Sequence, residues 1–188
     1  MAFFKKINRG LLILIALVLI VAGYLIMLHF IRLQDQAQLK EVLTDYLSVY
    51  EQDVVLGQQK AEDALQAART NEADFFASEE SFKTTLAVLE EIFDGQEQSG
   101  TIEEYEVRIR KFDSFTFDGK TAKVTLSANV SYKGPNGIMP GLSSNSSLTN
   151  TTAEFVLEKG KDGWKIFYFS GYMINQYNAE TYTKTVIE

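Results

Sequence analysis

Residues Leu11 to Ile31 form 21 consecutive uncharged, mostly apolar positions, preceded by Lys5, Lys6 and Arg9. As a helix this run is about 30 Å long, the thickness of a bilayer's hydrocarbon core. It therefore predicts a single transmembrane anchor. A cleaved signal peptide is the competing reading, because Val21-Ala22-Gly23 has the small-residue character of a cleavage site. Yet Tyr24, Leu25, Ile26, Met27, Leu28, Phe30 and Ile31 carry the hydrophobicity on well past a usual signal core, which favours an uncleaved anchor. A class III pilin leader also places a glycine such as Gly10 before an apolar stretch, but it needs an acid a few residues later and none follows here.

The flanking charges set the expected orientation. Lys5, Lys6 and Arg9 precede the span with no acid among the first ten residues, whereas Arg32, Asp35, Lys40 and Glu41 form a mixed flank after it. The positive-inside rule then puts segment 1–10 in the cytoplasm, 11–31 in the cell membrane and the remaining residues outside. All 25 acids and 15 of the 18 Lys and Arg residues lie beyond Ile31, so the outer part has ten more negative than positive charges. Such a surface disfavours nucleic acid and anionic lipid head groups, which draw affinity from clustered Lys and Arg.

Cysteine is absent. No disulfide staples the outer part and no thiolate is available as nucleophile or metal ligand, so stability has to come from a hydrophobic core. Its length suits one domain. An extracellular domain without disulfides points to a bacterial envelope, and among envelopes to the Gram-positive kind. Asn129-Val130-Ser131, Asn145-Ser146-Ser147 and Asn150-Thr151-Thr152 match the glycosylation triplet, a pattern that chance supplies readily in Ser/Thr-rich stretches.

Leu39, Val42, Leu43, Tyr46, Leu47, Tyr50 and Val54 recur at spacings of three and four, predicting an amphipathic helix that continues the anchor as a stalk over 32–57 and ends near Gly57. Ala61, Ala64, Leu65 and Ala68 mark a second helix stopping near Asn71. Ser78 reads as the N-cap of a third, with Glu79 and Glu80 in its first turn, Phe82, Leu86, Leu89, Ile92 and Phe93 on its apolar face, and Asp94-Gly95 as its end.

From Glu104 the period changes to two. Tyr105, Val107 and Ile109 alternate with Glu106, Arg108 and Arg110, then Phe115 and Phe117 lead into the hairpin signal Asp118-Gly119. Ala122, Val124, Leu126, Ala128, Val130 and Tyr132 face one way on the returning strand and polar residues face the other, which describes a sheet with one wet face. A long loop over 133–150 follows, rich in Gly, Pro, Ser and Asn. Strands Thr151 to Lys159 and Trp164 to Gly171 come next, and a polar tail over 173–188 has no clear assignment. Helices first and antiparallel strands second imply an α+β domain over 38–172, with the apolar face of the sheet packed on the helices.

The long first helix, the break around Asp74-Phe75-Phe76, the third helix before the first strand, and the closing Asp162-Gly163-Trp164-Lys165-Ile166 together resemble the nuclear transport factor 2-like, or cystatin-like, superfamily. That resemblance implies a cone of helices against a curved sheet. It also implies two kinds of function. Enzymes of the superfamily, such as ketosteroid isomerase and the polyketide cyclases that resemble SnoaL, place acids or a His/Asp pair inside the cone. The single histidine here, His29, belongs to the membrane span. Asp113, near a strand bend between aromatics, is the one acid that burial could turn into a base, against the plainer reading as a bulge or turn residue. Other members carry one N-terminal anchor and serve as assembly subunits, as in the inner-membrane parts of type IV secretion and conjugation machines, and their layout fits better.

The sequence thus predicts no catalytic residue, no metal site, no cofactor and no enzyme. It predicts a non-catalytic binding or scaffolding domain in a secretion-, conjugation- or cell-wall-associated complex, with other envelope proteins as partners and self-association through the flat polar sheet face as an option. The alternative is a small apolar ligand held by Asp113, Trp164, Phe167, Tyr168, Phe169 and Tyr172 at the cone's mouth, although the five aromatics more often read as ordinary core. Ile138, Met139, Pro140 and Leu142 in the loop are the candidate partner-binding residues. The competing reading tucks them under the loop as its anchors.

Overall fold

The computed structural model describes residues 9–139 and 141–171. Helix α1 runs Arg9–Asp53, α2 Ala61–Glu72 and α3 Glu79–Ser99, with a short 3-10 turn at Ala73–Phe75; strands β1 Glu104–Asp118, β2 Thr121–Lys133, β3 Ser146–Gly160 and β4 Gly163–Gly171 follow. The chain divides into two units, 1–38 and 39–188. The first is helix in its described part. It holds one stretch long and apolar enough to cross a bilayer, and the side chains of that stretch are bare, Leu19 and Ile20 each 66 % exposed.

In the second unit four strands form an antiparallel sheet in the order β1-β2-β3-β4. The alternation on β2 fixes its inner face: Ala122, Val124, Leu126, Ala128, Val130 and Tyr132 are all buried. Against that face pack Leu39, Leu43, Tyr46, Leu47 and Tyr50 of α1, and Phe82, Leu89, Ile92 and Phe93 of α3. Ser78 caps α3 by accepting the Ser81 amide at 3.1 Å, as its sequence context predicts.

β1 keeps its apolar residues inward by two register shifts. Tyr105, Val107 and Ile109 pair with Tyr132, Val130 and Ala128; Arg110 is then an extra residue, so Phe112 pairs with Leu126, and Asp113 is a second extra, so Phe115 pairs with Val124. Each bulge moves the inward phase by one position.

Three element ends differ from the sequence expectation. α1 stops at Asp53 rather than near Gly57. α3 passes through Asp94-Gly95 and ends at Ser99, followed by Gly100, whose positive φ of 110° favours glycine and whose N–H reaches the Gln96 carbonyl. Gly95 is an interior residue on which Ile138 rests. A Cβ there would lie 3.5 Å from Ile138 Cγ1, in ordinary contact. β3 starts at Ser146, so the preceding loop is shorter than 133–150. Asn150 (φ 56°) sits at a register shift opposite Asn129, whose Oδ1 accepts the Asn150 amide, and this interruption hides the first part of the strand from a period-two reading.

Both sheet edges are partly occupied. At β4, Ala77 donates its N–H to the Ile166 carbonyl at 2.8 Å and Lys165 Nζ reaches the Asp74 carbonyl. At β1 the Val107 amide donates to the Glu51 carboxylate of α1. Such caps leave fewer free backbone groups for stray strand pairing.

Gln96, buried on α3, binds three backbone groups that have left regular structure. Its Oε1 accepts from Ile102 at 2.8 Å and Leu56 at 3.2 Å, and its Nε2 donates to the Val54 carbonyl at 2.8 Å. One amide thus ties the end of α1, the start of the next turn and the entry to β1. Gln96→Ala orphans all three groups and should destabilise the full chain in detergent by about 2–5 kcal/mol in denaturant titration. A change below about 0.5 kcal/mol, the usual range for a surface site, would contradict this role. Gly134→Ala should also destabilise, because its Cβ would meet Tyr132 Oη at 2.8 Å and the Ile102 backbone at 3.2 Å.

Candidate functional site

The residues singled out from the sequence do not converge. Asp113 sits on the exposed side of its bulge, where Ser127 Oγ donates to Oδ2 and Lys111 Nζ lies 3.2 Å from Oδ1. The Ser127 bond and then the lysine hold its carboxyl below the usual aspartate range, the opposite of what a general base near neutrality needs. Trp164 is buried, its ring edge-on to Phe117 with Lys159 Nζ 5.5 Å above it. Phe167 is the extra residue of a β4 bulge and is 38 % exposed, so the inward phase passes from Ile166 to Phe169 and Tyr168 faces outward beside Val156. Phe169 reaches the interior aromatics, its ring 5.5 Å from Phe155 and 6.0 Å from Tyr46, and Tyr172 lies outside the described residues. In the loop, Ile138, Met139 and Leu142 are buried, so what it presents to solvent is its polar residues; Pro140 lies outside the described residues.

A different constellation occupies the centre. Tyr46 of α1 has no exposed surface, and its ring touches Tyr50, Phe75, Phe76, Phe155 and Phe169 at centroid distances of 5.5–6.5 Å. Phe76 stacks obliquely on Phe82 at 4.8 Å, and Tyr50 meets Tyr105 edge-on at 6.2 Å. Tyr46, Tyr50, Leu126, Phe155, Leu157 and Ile166 are all 0 % exposed. A cavity able to admit a water would leave accessible area on its walls, so among the described residues these side chains fill the space around Tyr46.

Inside this apolar mass lies a polar knot. Glu72, at the end of α2, is 0 % exposed, and burial, then the nearby Asp53 carboxylate, push its pKa up to about 9. Asp53 is raised too, by burial, and accepts a bond from Asn71 Nδ2 at 2.9 Å. Tyr46, Tyr50 and Tyr105 are raised, each chiefly by desolvation. The Tyr50 hydroxyl is buried without a hydrogen-bond partner, and the buried hydroxyls of Tyr46 and Thr85 face each other. A neutral acid beside two phenols could donate hydrogen bonds to an anion, but a general acid has to reach a substrate atom, and the surrounding side chains leave no room for one.

The sequence does carry a signal for Glu72. Ala61, Ala64, Leu65 and Ala68 define the inner stripe of α2, and Glu72 continues it four residues on. Among the described residues no group of three or more His, Cys, Asp and Glu is arranged to hold a metal.

On the surface, a cleft of about 640 Å3 runs between α1 and β1, lined by Thr44, Leu47, Ser48, Glu51 and residues 107–112. Its floor is Leu47 and Val107, and Arg108, Arg110 and Lys111 are exposed around it. Lys40 Nζ stands 5.8 and 5.6 Å from the Phe112 and Phe115 ring centres beyond it.

Because the Tyr50 hydroxyl is buried without a partner, Tyr50→Phe should leave stability unchanged or raise it by up to about 2 kcal/mol, whereas Tyr50→Ala should cost about 3–5 kcal/mol. Thermal melts of both variants decide it, and a Phe variant as damaging as the Ala variant would show that the hydroxyl is bonded after all.

No family model matches the chain, and no curated protein matches it in sequence. Several solved structures do match in shape. A nuclear transport factor 2-like protein with a cystatin-like fold from Novosphingobium aromaticivorans is 11 % identical, with 85 % of this chain and 94 % of that one covered and a TM-score of 0.45. A protein from Streptomyces avermitilis, provisionally described as a dehydratase of the nuclear transport factor 2-like family, is 13 % identical over 73 % of this chain and 95 % of that one, with a TM-score of 0.49. The intermembrane space region of the chloroplast protein ARC6 is 17 % identical over 70 % and 92 %, with a TM-score of 0.45. Three helices followed by a four-stranded antiparallel sheet whose inner face they cover make this an α+β domain.

Proposed function

We propose that the protein is a membrane-anchored, non-catalytic binding or scaffolding subunit of a cell-envelope complex, with its amino terminus in the cytoplasm and its α+β domain outside. The filled interior carries this reading. A fold that in enzymes holds a substrate between helices and sheet here has that space taken by Tyr46, Phe76, Phe155 and Phe169, so useful chemistry has no chamber. The same packing counts against the alternative of an apolar ligand module.

The anchor supports the location. A bare apolar helix such as 11–31 is costly in water and at home in lipid, and the basic residues before it favour retention of that end on the cytoplasmic side. Contact with envelope proteins fits the α1–β1 cleft better than the loop. There exposed Arg108, Arg110 and Lys111 surround an apolar floor of Leu47 and Val107.

The absence of native cysteine makes topology directly measurable. Lys161→Cys, in the exposed turn between β3 and β4, should react with a membrane-impermeant maleimide in intact cells, and Ala2→Cys only after permeabilisation. The reverse pattern would overturn the orientation. Mild detergent extraction should recover the chain with other membrane proteins, and a charge reversal at Arg110 should weaken that association. Recovery as isolated monomers, with and without the substitution, would overturn the scaffolding role.

A further inference from the structure

Asp53 closes α1 and Glu72 closes α2, and folding brings the two carboxyl groups together inside the domain. The groups that face them are Tyr46 and Tyr50 from α1, Thr85 of α3 against Tyr46, and Tyr105 of β1 against Tyr50. Asn71, on the same helix as Glu72, spends its amide on Asp53 Oδ1. Among the described residues none of these groups is a cation.

Asp53 Oδ2 and both Glu72 carboxyl oxygens are buried with no donor. Two ionised carboxylates are acceptors only and cannot satisfy each other, and two adjacent negative charges without solvent are prohibitive. A single proton removes the conflict: the Glu72 hydroxyl donates to Asp53 Oδ2, and the remaining charge stays on Asp53, which is half-buried and bonded to Asn71.

We propose that Glu72 and Asp53 share one proton in the folded domain and form an alkaline-sensitive latch between the C-terminal ends of α1 and α2. Loss of the proton to water or hydroxide breaks the Glu72 O–H bond, leaves a buried pair of negative charges, and loosens the junction. The latch does not depend on the binding role proposed above.

The sign follows from linkage. Glu72 titrates near 4.5 when unfolded and near 9 when folded. Between those values the folded state holds a proton that the unfolded state has released, so stability falls as pH rises, by up to about tenfold in the folding constant per pH unit, and levels off above the folded value.

Denaturation of the full chain in detergent micelles between about pH 5 and pH 9 tests this. Glu72→Gln, a neutral donor of nearly the same shape, should match the native protein near pH 5, exceed it at alkaline pH, and flatten the profile. A Gln variant that is less stable throughout, or that keeps the native slope, would overturn the proposal. Infrared spectroscopy of the native chain gives a second readout that needs no variant. A carboxylic-acid carbonyl band should persist at neutral pH and bleach above about pH 9, and Asp53→Asn should move the bleaching to lower pH. Absence of the band at neutral pH would equally overturn it.

Discussion

Closure of the space between helices and sheet depends on Tyr46. Its ring joins α1 to the 3-10 turn through Phe75 and Phe76, to β3 through Phe155 and to β4 through Phe169, and it has no exposed surface. Aromatic rings in tilted and edge-on contact bring large buried area and directional preference together. With that ring in place, water is excluded, and the chemistry of everything nearby changes. The burial that packs the aromatics also turns Glu72 from an ordinary surface carboxylate into a neutral acid.

Polar closure at the other end of α3 rests on Gln96 in the same way. The chain leaves α1, turns through Val54 to Leu56 and later enters β1 after Ile102, and at each place a backbone group has no regular partner. One side-chain amide serves all three. Aromatic packing and this amide are complementary: the first excludes water from the interior, and the second makes that exclusion tolerable for the backbone.

Much of the architecture was legible because it rests on periodicity. Leu39 to Val54 repeats at helical spacing, Ala122 to Tyr132 alternates strictly, and Ser78 has the context of a cap, so the helices-then-sheet order follows from local pattern. What pattern could not show is where one extra residue shifts the phase. The bulges at Arg110 and Asp113, the break at Asn150 and the extra Phe167 each exchange inward and outward positions beyond them, so Phe169 and not Tyr168 joins the interior, and Asp113 faces solvent. Burial of Ile138, Met139 and Leu142 comes from long-range packing, as with Ile138 against Gly95, which no local window contains. Glu72 was hidden for another reason. An acid at a helix end reads as solvated by habit, although its spacing from Ala64 and Ala68 puts it on the inner stripe.

The central claim is that the domain's interior is filled by its own side chains. Xenon titration of the full chain in detergent micelles, followed by methyl resonances of Leu126 and Leu157, tests it most directly, because xenon enters apolar cavities that water leaves empty. A filled interior predicts no saturable shift at those methyls. Saturable shifts confined to them would reveal a chamber between helices and sheet and contradict the account.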